Sequence, residues 1–141
     1  MTRVGYVPGV FDMFHIGHLT ILRRAREQCD RLVAGVVTDD VVEQAKGVRP
    51  IVPFVERLEI VRSVGIVDDA VPDTASDKTV AWRANPFDVI FKGDDWQGTP
   101  KGDRLEADLG ALGVDVVYFP YTEHTSSTML RDVLTRLATS L

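Results

Sequence analysis

Two histidines, His15 and His18, close the run Gly9-Val10-Phe11-Asp12-Met13-Phe14-His15-Ile16-Gly17-His18. If a helix starts there, both imidazoles fall on one side, beside backbone N–H groups that a first helical turn leaves without partners. Amide donors, a positive helix end and imidazoles together suit a triphosphate whose charge shifts during reaction. Gly17 would let a phosphate come up to the backbone, because a side chain there would occupy the ligand's space. The pair of histidines alone is a weak signal, since one can cap a helix and the other sit half-buried with no chemistry at all. Zinc is a further reading, but no third nearby cysteine or histidine completes a ligand set.

These residues need elements to hold them. Val4–Val7 is apolar and β-prone, as expected of a strand buried on both faces. His18, Leu22, Ala25 and Cys29 then recur at helical spacing and line one face. Leu32–Val37 is a second buried strand, ending at Thr38-Asp39-Asp40, where the two aspartates either help hold a metal or cap the next helix. Lys46-Gly47-Val48-Arg49-Pro50 reads as a loop with two cations, and Pro53 opens a helix carrying Leu58 and Val61. Further strands are expected over Val67–Val71, Phe87–Phe91 and Val114–Phe119, with helices over Thr79–Asn85, over Leu105–Leu112 and from Ser126 or Ser127 onward. Trp82 reads as packing or interface. Strands alternating with helices predict an α/β fold: a Rossmann-like, doubly wound parallel sheet of five strands flanked by helices, in one domain over residues 1–141. In such sheets ligands bind beyond the carboxyl ends of the strands, where the unusual polar residues cluster.

Composition narrows the function. The 141 residues carry 16 Lys and Arg against 21 Asp and Glu, a net charge of −5, which argues against a groove for nucleic acid but leaves a small anionic ligand open. No apolar run approaches the roughly 20 residues needed to span a bilayer, and Met1-Thr2-Arg3-Val4-Gly5 does not read as a signal peptide. Cys29 is the one cysteine, so an internal disulfide is excluded and a cytoplasmic protein is expected.

Gly9-x-Phe11-Asp12-x-x-His15-x-Gly17-His18 resembles the H-x-G-H signature of the cytidylyltransferase-like nucleotidyltransferases. Lys92-Gly93-Asp94-Asp95-Trp96-x-Gly98 is similar to the glycerol-3-phosphate cytidylyltransferases, and Thr122-Glu123-x-x-Ser126-Ser127-Thr128 to that family's third motif. The resemblance spans nearly the whole chain with the motifs in order. It implies transfer of CMP from CTP to a phosphorylated small molecule such as a polyol phosphate or a phosphonate, with release of pyrophosphate. It implies Mg²⁺ as cofactor and a homodimer, with neither nucleic acid nor membrane as partner. His15, His18, Lys46 and Thr128 would be catalytic. Gly9, Val10, Phe11, Gly17, Lys92, Asp94, Asp95, Thr122, Ser126 and Ser127 would bind the nucleotide. Asp12, Arg57 and Trp96 would meet the acceptor, with Asp12 also a metal ligand.

Three positions depart from the pattern. Tyr121 and Gly65 stand where glycerol-3-phosphate cytidylyltransferases carry arginines, and His124 where they carry glycine. Losing a planar cation alters anion recognition. Gly47-Val48-Arg49-Pro50-x-x-Pro53 with Glu56-Arg57 also resembles the heptose-phosphate adenylyltransferases, so an adenylyltransferase acting on a sugar 1-phosphate is the alternative enzyme. A nucleotide-binding module without catalysis is the alternative outside the enzymes.

Overall fold

The computed structural model describes residues 2–120 and 125–140. Five parallel strands form one sheet in the order β3-β2-β1-β4-β5, where β1 is Val4–Gly9, β2 Arg31–Val37, β3 Asp69–Asp73, β4 Val89–Gly93 and β5 Asp115–Phe119. The helices among the described residues are α1 (Ile16–Arg26), α2 (Asp39–Lys46), α3 (Phe54–Arg62), α4 (Lys78–Ala84), α5 (Pro100–Gly110) and α6 (Ser127–Ser140). A single 3-10 turn, Asp94–Trp96, follows β4. The expected Rossmann-like, doubly wound α/β sheet is present.

Alternation of side chains along each strand divides the core into two layers. On one face Val7, Leu32, Ala34, Val36, Val89 and Phe91 meet Leu22 and Ala25 of α1 and Leu58 and Val61 of α3. On the other, Tyr6, Val33 and Ile90 meet Leu105 and Leu109 of α5, with Trp82 of α4 packed alongside. At roughly 25 cal/mol per Å² of apolar surface removed from water, these two layers supply the main force holding helices to sheet.

The chain winds outward from β1 to β3, then crosses back to β4 on the other side of β1. Loops after β1 and β4 therefore diverge at their carboxyl ends and leave a crevice, the place where open α/β sheets bind ligands.

Three details differ from the sequence expectation, the first being that α5 begins at Pro100 rather than Leu105, capped by Thr99. Asp39–Lys46 forms α2, so Lys46 ends a helix rather than riding in a loop. Gly47, at φ 77°, supplies the left-handed cap that stops it. β3 begins two residues later than expected, because Asp68 turns to accept from the Leu32 amide (2.8 Å) and from Arg26.

Candidate active site

His15 is the N-cap of α1, and its Nδ1 accepts from the Gly17 amide at 3.0 Å. His18, three residues on, returns the favour: its Nδ1 accepts from the His15 amide at 3.2 Å. The H-x-G-H spacing is thus that of a reciprocal capping box, which ties up two amides of the first turn. It also sets the tautomer. With both Nδ1 atoms accepting, each neutral ring carries its proton on Nε2 and acts as a donor there. The rings stack with centroids 3.9 Å apart.

The loop leading in is held tightly. Phe11 and Met13 adopt φ 55° and 49°, a left-handed conformation that costs non-glycine residues energy and persists where surroundings over-determine it. Phe11 supplies that anchor, being buried with its ring edge-on to His18 at 5.5 Å.

The start of α6 meets the start of α1. His15 Nε2 lies 3.2 Å from Ser127 Oγ, which in turn donates to the Asp12 carbonyl at 2.7 Å. Ser126 caps α6, its Oγ accepting from the Met129 amide at 3.1 Å. Two helix N-termini, each with partial positive charge, thereby face one volume.

That volume is a cavity of about 1110 Å³ over the carboxyl ends of the strands. It stands at the upper end of the roughly 300–1,000 Å³ usual for a small-molecule site. Gly9, Val10, Phe11, Asp12, His15, Gly17 and His18 line it from β1 and α1, and Lys46 from α2. Lys92, Asp95 and Trp96 line it from β4 and the turn beyond, and Ser126, Ser127 and Thr128 from α6. The chain is acidic overall, yet its four lysines, Lys46, Lys78, Lys92 and Lys101, all reach this wall.

Some expected residues do other work. Arg57 is not at the cavity: its side chain is 0% exposed and donates to the carbonyls of Val10 (2.7 Å), Val37 (2.8 Å) and Val52 (2.8 Å) and to Asp39 (2.8 Å). It clamps three loops from beneath and does not line the cavity, which corrects its assignment to the acceptor. Asp39 is the anion of that clamp. Burial opposes its charge, but hydrogen bonds from Arg57 and the Phe54 amide outweigh this and hold its carboxyl below the ordinary range. Asp12 is likewise a tie. Its buried carboxylate accepts from the Ile51 (2.8 Å) and Val52 (2.9 Å) amides and from Arg131 (3.0 Å), while the residue also lines the cavity. Asp94 lies in the 3-10 turn and does not line the cavity. Thr122, with Tyr121, Glu123 and His124, lies outside the described residues.

Arg131, absent from the sequence expectation, stands one turn beyond Thr128 on α6, lines the cavity and pairs with Asp12. The i, i+3 step from Thr128 was the available signal. Lys78 was also missed and is nearly buried in the wall. Among the described residues no group of three His, Cys, Asp or Glu could hold a metal ion. None of the described helices is long and apolar enough to cross a membrane.

Comparison with known proteins shows the family and the fold. The FAD synthase of Thermococcus sibiricus is 35% identical over 116 residues, covering 80% of this chain and 77% of that protein. The ethanolamine-phosphate cytidylyltransferase of Arabidopsis thaliana is 33% identical over 137 residues, 94% of this chain but 31% of the plant protein, so the chain spans under a third of that relative. Among solved structures, the lipopolysaccharide core biosynthesis protein from Thermoplasma volcanium superposes with a TM-score of 0.73 at 24% identity, covering 89% of this chain and 100% of that one, and shows the same fold. A family model described as cytidylyltransferase-like matches residues 6–133, and the chain therefore belongs to the cytidylyltransferase-like family of nucleotidyltransferases.

Proposed function

We propose that the protein transfers CMP from CTP to a phosphorylated small molecule and releases pyrophosphate. The observation that carries this reading is the 3.2 Å approach of His15 Nε2 to Ser127 Oγ, which brings two helix starts to one point. A triphosphate tail laid there meets Nε2–H donors of His15 and His18 on one side. On the other it meets the hydroxyls of Ser127 and Thr128 and the first amides of α6. Arg131 stands behind them as a fixed cation.

The acceptor's phosphate oxygen is already nucleophilic near neutral pH, so no serine or cysteine nucleophile is needed. It attacks the α-phosphorus in line; one P–O bond forms, and the bond to the β-phosphate's bridging oxygen breaks. Charge grows on the departing pyrophosphate, where donors already in place act without reorganisation. Lys46 neutralises the transferred phosphate. Gly9, Val10 and Phe11 offer backbone to the nucleotide, and Asp95 and Trp96 stand at the wall where base or acceptor would lie. Mg²⁺ would arrive on the triphosphate, supplying part of the charge neutralisation, and the phosphate oxygens rather than a protein cage would hold it. A homodimer and a cytoplasmic setting complete the proposal.

A relative named for making FAD, an adenine dinucleotide, favours trying ATP as well. The test is pyrophosphate release from CTP and from ATP with a panel of polyol phosphates, sugar phosphates and phosphonates. Release that depends on both CTP and an acceptor supports the reading. ATP-dependent release moves it to adenylyl transfer, and binding without release under any pairing overturns catalysis.

A further inference from the structure

Nucleotidyl transfer, as proposed, uses only the start of α6. Beyond Arg131, residues 132–140 are all exposed, and no residue of the helix is buried. Among the described residues, the side-chain bonds that tie it to the body lie at its start. Ser127 donates to the Asp12 carbonyl, and Arg131 to Asp12 at 3.0 Å and to the Arg49 carbonyl at 3.3 Å. At 14 residues α6 has the length at which an uncovered helix is only marginal in water. Its tail is nevertheless not that of a solvated helix. Leu130, Leu134 and Leu137 recur at steps of four and three, which the sequence continues at Leu141; this is the spacing of a seam between helices. Leu134 and Leu137 are 45% and 56% exposed, and Val133 beside them is exposed as well.

The neighbouring surface has the same character. The bond from Arg131 to the Arg49 carbonyl sets α6 beside the segment before α3, where Val48, Ile51 and Val55 are exposed, Val55 by 75%. The two groups together leave roughly 500 Å² of apolar surface to water, near the top of what one patch on a monomer carries. Apolar atoms make up about 60% of a protein contact, so such a patch corresponds to roughly 800 Å² per partner, the area of an ordinary stable dimer. Charge points the same way. Arg136, next to Leu137, forms no ion pair among the described residues, and neither does Glu59 on α3, one turn from Val55 on the same face. One apolar group is therefore edged by a cation and the other by a carboxylate.

We propose that the tail of α6 docks on a second copy of this chain, its Val133, Leu134 and Leu137 covering the partner subunit's Val48, Ile51 and Val55. Arg136 then pairs with the partner's Glu59. A two-fold axis makes each contact twice, so the assembly closes as a dimer and does not grow into a fibre. The proposal gives a surface to the homodimer put forward above and does not depend on the transfer reaction. It also braces the helix that carries Ser127, Thr128 and Arg131 to the cavity. A lipid surface fits less well. A helix lying in a bilayer interface has a polar face rich in lysine and arginine, whereas here that face is Asp132, Thr135, Arg136 and Thr139.

Analytical ultracentrifugation of the full chain over the micromolar range reads the assembly. The wild type should sediment as a dimer, and Leu137→Glu, at an exposed position, should weaken it at least tenfold. Arg136→Glu and Glu59→Arg should each weaken it too. Combined in one chain they should restore it to within about threefold of wild type, because the axis gives every chain both halves of the pair. A monomeric wild type overturns the surface and the homodimer together. A dimer that Leu137→Glu leaves intact, or a double variant no tighter than the weaker single one, overturns the surface alone. A monomer that instead co-sediments with vesicles of phosphatidylcholine and phosphatidylglycerol assigns the stripe to a membrane and overturns the proposal. Pyrophosphate release is read on the same samples. Charge-swap rescue in a protein that releases none keeps the surface and sinks the transferase reading, so the two failures are separable.

Discussion

At His15 and His18 the Nδ1 atoms are committed to backbone amides, which places the ring protons on Nε2, that of His15 directed at Ser127 Oγ. Removing one such donor from a site that stabilises developing charge typically costs about 3 kcal/mol of transition-state stabilisation. His18→Ala should therefore lower turnover by roughly two orders of magnitude or more in the pyrophosphate-release assay, and normal turnover would refute the role. The histidines were legible because their spacing serves both a capping box and a phosphate site. Lys78 was not, since Ser76-Asp77-Lys78 has the composition of a solvated turn and nothing local shows that Asp73 draws the lysine inward. Arg57 was visible but misassigned, because a helical arginine gives no sign of which loops it will meet.

Between elements, the Arg57 clamp is the clearest dependence. It joins the loop after β1, the end of β2 and the segment before α3 through one fully buried guanidinium. Arg57→Met strands Asp39 and three carbonyls, and breaking a buried pair from one side costs about 3–5 kcal/mol. Urea unfolding should show a midpoint shift of that size; a change within about 0.5 kcal/mol, the level of an ordinary surface substitution, would contradict the clamp. Gly102 plays a comparable part at α5, where a Cβ would stand 2.0 Å from the Trp96 carbonyl. The Thr99 hydroxyl donates to that same carbonyl at 2.6 Å and fixes the turn that carries Trp96. Gly102→Ala should displace the turn and lower stability by about 1–3 kcal/mol, as overpacking does, again read by urea. Strands and most helices could be read from apolar runs and periodicity. α2 could not, because Asp39–Lys46 is only eight residues long and buries only Val42, too short a run for its apolar side to repeat.

For the molecule as a whole, the parallel order β3-β2-β1-β4-β5 explains why a chain of net charge −5 can serve anionic substrates. The crossover from β3 to β4 opens a crevice beside β1, and the fold sends its four lysines and two helix starts to that wall. A nucleoside triphosphate that binds this crevice raises stability by mass action, about 2.7 kcal/mol at a hundred times its Kd. That gain should appear as an upward shift of Tm with the preferred nucleotide. The central claim is that α1 and α6 grip one triphosphate tail together, and a double-mutant cycle on His15→Ala and Ser127→Ala tests it most directly. With Mg·CTP affinity measured by calorimetry, or Mg·ATP if that binds instead, each variant should weaken binding and the pair should be non-additive by about 0.5–3 kcal/mol, as residues in contact are. Strictly additive losses, or full affinity without the two side chains, would contradict it.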